Sequence, residues 1–116
     1  MENISLNIIQ NTIKQNYKLY ENPEITIEVN PGIINEEKIK KYKDIGINRI
    51  SIGLQTTKDN LLKQIGRIHK YEEFLNCYKI VKKIGIDNIN VDLMLGLPNQ
   101  TLEDLKESLI EVINLK

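Results

Sequence analysis

Cysteine is nearly missing from this sequence. Cys77 stands alone among 116 residues, which excludes an internal disulfide framework and leaves no set of three thiolates for a metal cluster. A lone thiol is compatible with a reducing compartment. Net charge is missing too: 16 Lys and Arg balance 16 Asp and Glu, so no long-range field draws the chain toward nucleic acid or an anionic membrane. The start, Met1-Glu2-Asn3-Ile4-Ser5, has neither the basic nor the apolar region of a secretion signal. No apolar run approaches the ~20 residues needed to span a bilayer. These absences predict a soluble, cytoplasmic protein. With 41% hydrophobic and 28% charged residues, the chain suits one domain with a modest core.

What is present is an alternation of helix and strand patterns. Leu6, Ile9, Ile13 and Tyr17 recur at helical spacing over residues 4–20, and Pro23 is expected to end that helix. Residues 24–29 alternate as a strand and close on Pro31-Gly32. Asn35 opens a helix that buries Ile39, Tyr42 and Ile45 and stops at Gly46; Arg49 to Gln55 form a second strand. Thr56, Lys58 and Asp59 resemble a capping signal for a short helix through Leu61, Leu62 and Ile65, followed by the loop 66–70 and a longer helix over 71–84. A third strand over 88–95 runs into Gly96-Leu97-Pro98, and Thr101 with Asp104 caps a last helix carrying Leu105, Leu109 and Val112. Gly96-Leu97-Pro98 bends the chain, either as an ordinary turn or to let a flat ring approach the backbone. The segment 44–48 echoes 83–87, a weak internal repeat of helix, glycine and strand joints.

Strands separated by helices imply right-handed crossovers and a parallel sheet. Side-chain parity then separates an open sheet from a barrel. One parity carries Ile25, Ile27, Val29, Ile50, Ile52, Leu54, Ile89, Val91 and Leu93, all suited to lie beneath helices. The other carries Thr26, Glu28, Asn30, Arg49, Ser51, Gly53, Gln55, Asn90, Asp92 and Met94, too polar to bury under apolar helices. The expected fold is therefore α/β: part of a (β/α) barrel of the TIM type, three parallel strands with helices on the outer face and a polar lumen. Glu28, Gln55 and Asp92 fall late on their strands on the lumen side and are expected to converge on one ligand. For any one of them the plainer expectation is mutual satisfaction, as of Glu28 by Arg49. His69, in a Lys-rich loop, is expected to be an exposed or hydrogen-bonded surface group, and Cys77, at helical spacing with Phe74, Val81 and Ile84, a small core residue.

Four segments carry a family resemblance: Ile27-Glu28-Val29-Asn30-Pro31, the run 48–55, Gly66-Arg67-Ile68-His69, and the run 91–101. Their order and spacing resemble the oxygen-independent coproporphyrinogen III oxidases of the radical S-adenosylmethionine (SAM) family. They more closely resemble the haem-chaperone paralogues of those oxidases, which favour Gly-Arg-x-His and an Asp-Leu-Met opening to the Gly-Leu-Pro loop. The resemblance implies that Glu28, Gln55, Arg67 and Asp92 contact SAM. Acidic and amide groups would meet its amino and ribose groups, and Arg67 would offer a fork to anionic ones. Without it, an arginine in a glycine-containing loop is most often a solvated charge.

The resemblance also implies a [4Fe–4S] cluster held by Cys-x3-Cys-x2-Cys, a motif this sequence lacks. Residues 1–116 are accordingly expected to be the central fragment of a radical SAM domain, without the cluster-binding N-terminal part and the C-terminal part. Alone, such a fragment is expected to be inactive, and its unpaired sheet edges to favour self-association. The first functional reading is a radical SAM oxidoreductase that decarboxylates propionate side chains of coproporphyrinogen III. The alternatives are a haem chaperone on the same scaffold and a stand-alone barrel fragment binding a small metabolite. The implied partners are SAM and a tetrapyrrole or haem.

Overall fold

The computed structural model describes residues 2–115. It places α1 at Glu2–Asn16, β1 at Thr26–Val29, a 3-10 turn at Pro31–Ile33, α2 at Glu36–Asp44, β2 at Arg49–Gln55, α3 at Asp59–Gln64, α4 at Tyr71–Ile84, β3 at Asn88–Leu93 and α5 at Leu102–Ile113. The three strands form one parallel sheet in the order β1-β2-β3. Among the described residues β1 and β3 each keep one edge without a strand neighbour.

The register converts the sequence alternation into rows across the sheet. Ile27, Ile50 and Ile89 align, as do Val29, Ile52 and Val91. Between them lie the polar rows Thr26, Arg49, Asn88 and Glu28, Ser51, Asn90. The aliphatic rows pack beneath α2 and α4, where Ile50, Ile52 and Leu54 join Ile39, Tyr42, Phe74, Cys77 and Val81 in one core. Burying each such large side chain is worth ~1.5–3 kcal/mol, so this face holds the fold together. Three parallel strands with helices on the aliphatic side and polar groups on the other are the α/β arrangement expected from the sequence.

The helix boundaries follow local chemistry. Asn35 Oδ1 accepts from the Lys38 N–H at 2.9 Å and starts α2. Thr101 Oγ1 accepts from the Asp104 N–H at 3.1 Å while Asp104 Oδ2 accepts from the Thr101 N–H at 2.9 Å, the reciprocal cap that starts α5. The repeated joints end α2 and α4 alike: Ile47 N–H bonds to the Tyr42 carbonyl and Ile86 N–H to that of Val81, the Schellman pattern. Both isoleucines are then buried.

Several expectations are corrected. Helix α1 stops at Asn16, short of residue 20 and of Pro23. Ile9, Ile13 and Tyr17 are exposed; of the expected stripe only Leu6 packs against the core. Helical periodicity reports an apolar face but not the neighbour that covers it. Leu109 on α5 is likewise exposed. Strand β3 ends at Leu93; Met94 N–H still bonds to the Gln55 carbonyl, and the chain then turns through Gly96 at φ +74°. Thr56 does not cap α3. Its Oγ1 accepts from the Lys58 N–H at 3.2 Å and lies 3.3 Å from Ser108 Oγ. Thr57 N–H and Oγ1 also meet Ser108 Oγ, at 3.1 and 3.0 Å, so this buried hydroxyl group ties the end of β2 to α5.

Candidate functional site

Glu28, Gln55, Arg67 and Asp92 line one cleft of about 250 Å3, together with Val29, Asn30 and Gly53. The cleft sits at the C-terminal ends of the strands, where (β/α) barrels place their chemistry. Its volume lies below the ~300–1,000 Å3 of a complete small-molecule site, so it is one wall rather than a whole pocket. A larger hollow of about 560 Å3, lined by Tyr17, Tyr20, Pro23, Ile25 and Asn48 among others, lies at the strands' N-terminal ends and gathers no comparable set of functional groups.

Each residue reaches the cleft by a different device. Glu28 arrives by strand alternation alone and is exposed. Asp92 is also exposed, but it is held: Ser51 Oγ donates to its Oδ2 at 2.9 Å, and Asn90 Nδ2 donates to its Oδ1 at 2.7 Å and to Ser51 Oγ at 2.9 Å. That triad fixes the carboxylate's orientation before any ligand arrives. Ser51 and Asn90 share the lumen parity, but only the register brings them within hydrogen-bonding reach of Asp92.

Gln55 holds the lumen parity of Arg49, Ser51 and Gly53, but its pairing with β3 is irregular. The pairing steps from Gly53 opposite Asp92 to Gln55 opposite Leu93, a bulge that leaves Leu54 unmatched. Unbroken pairing would set Gln55 opposite Met94, on the lumen parity that both share. Gln55 adopts φ +74°, and its side chain lies over Gly53, where an added Cβ would stand 3.1 Å from Nε2. Gly53 therefore keeps open the space that the amide occupies, a role the sequence did not signal. A left-handed backbone costs a non-glycine residue ~1–2 kcal/mol, and glycine recovers that at an entropic cost of ~0.5–1 kcal/mol. Gln55→Gly is expected to leave urea-unfolding stability unchanged or raise it by less than ~1 kcal/mol while weakening ligand binding; a clear destabilisation would contradict the strain.

Arg67 follows Gly66, at φ +72°, and its N–H bonds to the Leu62 carbonyl at 3.0 Å, so the end of α3 fixes its backbone. The expected partnership of Arg49 with Glu28 is absent. Arg49 lies in register with Thr26, one row below, donates to Thr26 Oγ1 at 3.4 Å and approaches Glu24 at 4.0 Å, which leaves Glu28 facing the cleft.

His69 is hydrogen-bonded, as one expectation had it, but buried rather than on the surface. Its side chain is 2% exposed and Nε2 lies 3.3 Å from the Leu54 carbonyl, so Nε2–H donates and Nδ1 carries the lone pair. Burial, reinforced by Arg67, pushes its pKa below the ordinary 6.5, against the Leu54 carbonyl, Glu73 and Asp59, which favour the charged form. The unfolded chain takes up this proton at higher pH than the folded one. The His69 contribution is therefore constant above pH 6.5 and falls as pH drops below it. The urea midpoint is expected to decline on that acid side, less steeply in His69→Gln; identical profiles would exclude the effect.

The cluster implied by the resemblance does not fit these residues. Cys77 is 1% exposed in the core, and burial pushes its thiol up to about 11, which suits packing and disfavours a thiolate. Among the described residues no three His, Cys, Asp or Glu side chains are placed to hold a metal. No described helix is long and apolar enough to cross a membrane.

The comparisons with known proteins agree with this fold. The chain is 43% identical over 103 residues to the Heme chaperone HemW of Haemophilus influenzae, covering 89% of this chain and 27% of that protein. It is 33% identical over 96 residues to the Coproporphyrinogen III oxidase, anaerobic 1 of Cereibacter sphaeroides, covering 83% and 21%. The solved structure of coproporphyrinogen III oxidase (HemN) from Escherichia coli, described as a radical SAM enzyme, superimposes with a TM-score of 0.88 at 26% identity, over 100% of this chain and 27% of that one. The chain thus spans about a quarter of the length of these proteins. The family described as the Radical SAM superfamily matches residues 5–112, nearly the whole of the sheet, its helices and the cleft, and the chain belongs to that superfamily.

Proposed function

We propose that this chain forms one wall of the SAM site of a radical SAM protein of the haem-chaperone kind. The observation that carries the reading is the convergence of Glu28, Gln55, Arg67 and Asp92 on one cleft. The set matches SAM chemically: two carboxylates and an amide suit an ammonium group and ribose hydroxyls, and a guanidinium suits a carboxylate. SAM, when bound beside a reduced cluster, supplies a carbon radical; the residues of this chain bind and orient it. The cluster ligands lie outside this sequence, so residues 1–116 act as the central part of a longer radical SAM domain.

The chaperone reading is favoured over coproporphyrinogen oxidation by the greater identity to the chaperone, 43% against 33%, and by Gly66-Arg67-Ile68-His69. Haem or a related tetrapyrrole is then the partner of the longer protein. The test joins this chain to the missing parts of such a protein and measures haem binding and coproporphyrinogen III turnover side by side. Haem binding without turnover supports the chaperone; turnover restores the oxidase reading. SAM titrated into the chain itself tests the cleft, and no binding at millimolar SAM would remove the site assignment.

A further inference from the structure

His69 does not line the cleft, yet it touches the backbone beside three residues that do. The Leu54 carbonyl that accepts from its Nε2–H at 3.3 Å immediately precedes Gln55. An added Cβ on Gly32 would stand 3.1 Å from the His69 Cβ, so the imidazole base packs on the turn Pro31–Ile33. Asn30 caps that turn by accepting from the Gly32 N–H at 3.1 Å. Arg67 is two residues earlier in the loop 66–70, of which His69 is the one buried member.

An imidazole is a poor choice if packing were the whole purpose. Nδ1 is buried with no hydrogen-bond partner, and an unpaired polar atom in the interior is destabilising. Leucine would fill similar space without that cost but would donate nothing to the Leu54 carbonyl. What histidine adds is a directional bond from the Arg67 loop to the bulged end of β2, made while it leans on the turn after β1.

We propose that His69 is a positioning residue, a pin that holds the loop of Arg67, the bulge of Gln55 and the turn capped by Asn30 in one arrangement around bound SAM. This rests on the SAM reading of the cleft. Arginine has a long, flexible side chain, so an anchored backbone lowers the entropy lost when its guanidinium engages a ligand. The loop's backbone is tied at its two ends, Arg67 N–H to the Leu62 carbonyl and Lys70 N–H to Glu73, but between them Ile68 is 75% exposed, so His69 is the loop's one side chain anchored in the interior.

The test uses the whole chain with SAM as the probe, read by titration calorimetry or NMR, with amide exchange read separately. His69→Leu is expected to raise the SAM Kd about tenfold and to speed exchange at the Arg67 and Gly32 amides, which bond to the Leu62 carbonyl and Asn30 Oδ1. His69→Gln, whose amide can still donate to Leu54, restores both. Arg67→Ala costs less affinity in the His69→Leu background than alone, since the two act as one unit. Should His69→Leu fail to fold, Gly32→Ala serves in its place: it presses on the His69 Cβ and is expected to loosen the same loop. Wild-type affinity and wild-type exchange in the folded variant would overturn the role. If Glu28→Ala and Asp92→Ala also bind SAM like wild type, the SAM reading itself fails. Unchanged exchange at Arg67 and Gly32 then still overturns the pin, and faster exchange upholds the anchoring.

Discussion

Phe74→Ala is expected to remove most of the chain's stability at room temperature, seen as a urea transition, followed by helical circular dichroism, that moves close to zero denaturant. Phe74 is fully buried and is the single phenylalanine in a sequence without tryptophan, at the centre of a core that Tyr42, Tyr71 and Tyr78 also border. It stacks on Tyr71 with centroids 5.9 Å apart and 15° between planes, and meets Tyr78 at 6.2 Å. It also joins α4 to the aliphatic rows of β2. Truncating such a ring costs ~3–5 kcal/mol, against a total of ~5–15 kcal/mol for an ordinary domain. A three-stranded sheet with two unpaired edges lies toward the lower end of that range. Phe74→Leu keeps most of the volume and is expected to cost less than ~1.5 kcal/mol. A cooperative transition retained near the wild-type midpoint in Phe74→Ala would show that the core does not rest on this ring.

The second large effect is on binding. Asp92→Ala is expected to weaken SAM binding by roughly tenfold to hundredfold, the equivalent of one or two charge-assisted hydrogen bonds. Stability should move little, because Asp92 is exposed and Ser51, though buried, keeps the hydrogen bond its Oγ accepts from Asn90 Nδ2. Glu28→Ala acts in the same direction. In a longer protein that carries the cluster, both substitutions should leave its visible absorption intact, since neither residue touches a thiolate. Asp87 makes a useful control: it is exposed, pairs with Lys82 at 3.3 Å and lies at the other end of β3, so Asp87→Ala is expected to bind SAM as wild type does. Equal losses in Asp92→Ala and Asp87→Ala would mean that net charge, not the cleft, sets affinity.

The parts of this fold that were legible in the sequence are those written by local chemistry. Strand β2 and helix α4 have the predicted limits, because β-branched alternation and a helix closed by Gly85 are short-range signals. The two faces of the sheet were legible for the same reason, and with them Glu28, Gln55 and Asp92. The misreadings share a cause: each needed a partner distant in the chain. Ile9 and Ile13 on α1 and Leu109 on α5 were correctly helical but are exposed. Arg49 went to Thr26 rather than Glu28 because register, not proximity in sequence, decides who lies opposite. Thr56 met Ser108 across 52 positions and so never capped α3.

The cleft divides along the same line. By itself the sequence determined the parallel α/β pattern, the polar lumen face and the two carboxylates and the amide on it, since period and side-chain chemistry are properties of a few consecutive residues. Only the tertiary structure decided that β2 ends in a bulge with Gln55 left-handed and its amide over Gly53, that Ser51 and Asn90 orient Asp92, and that His69 is interior. Those outcomes depend on which strand ends at which row and on what fills the space beyond it, and such constraints arise only once distant segments pack together.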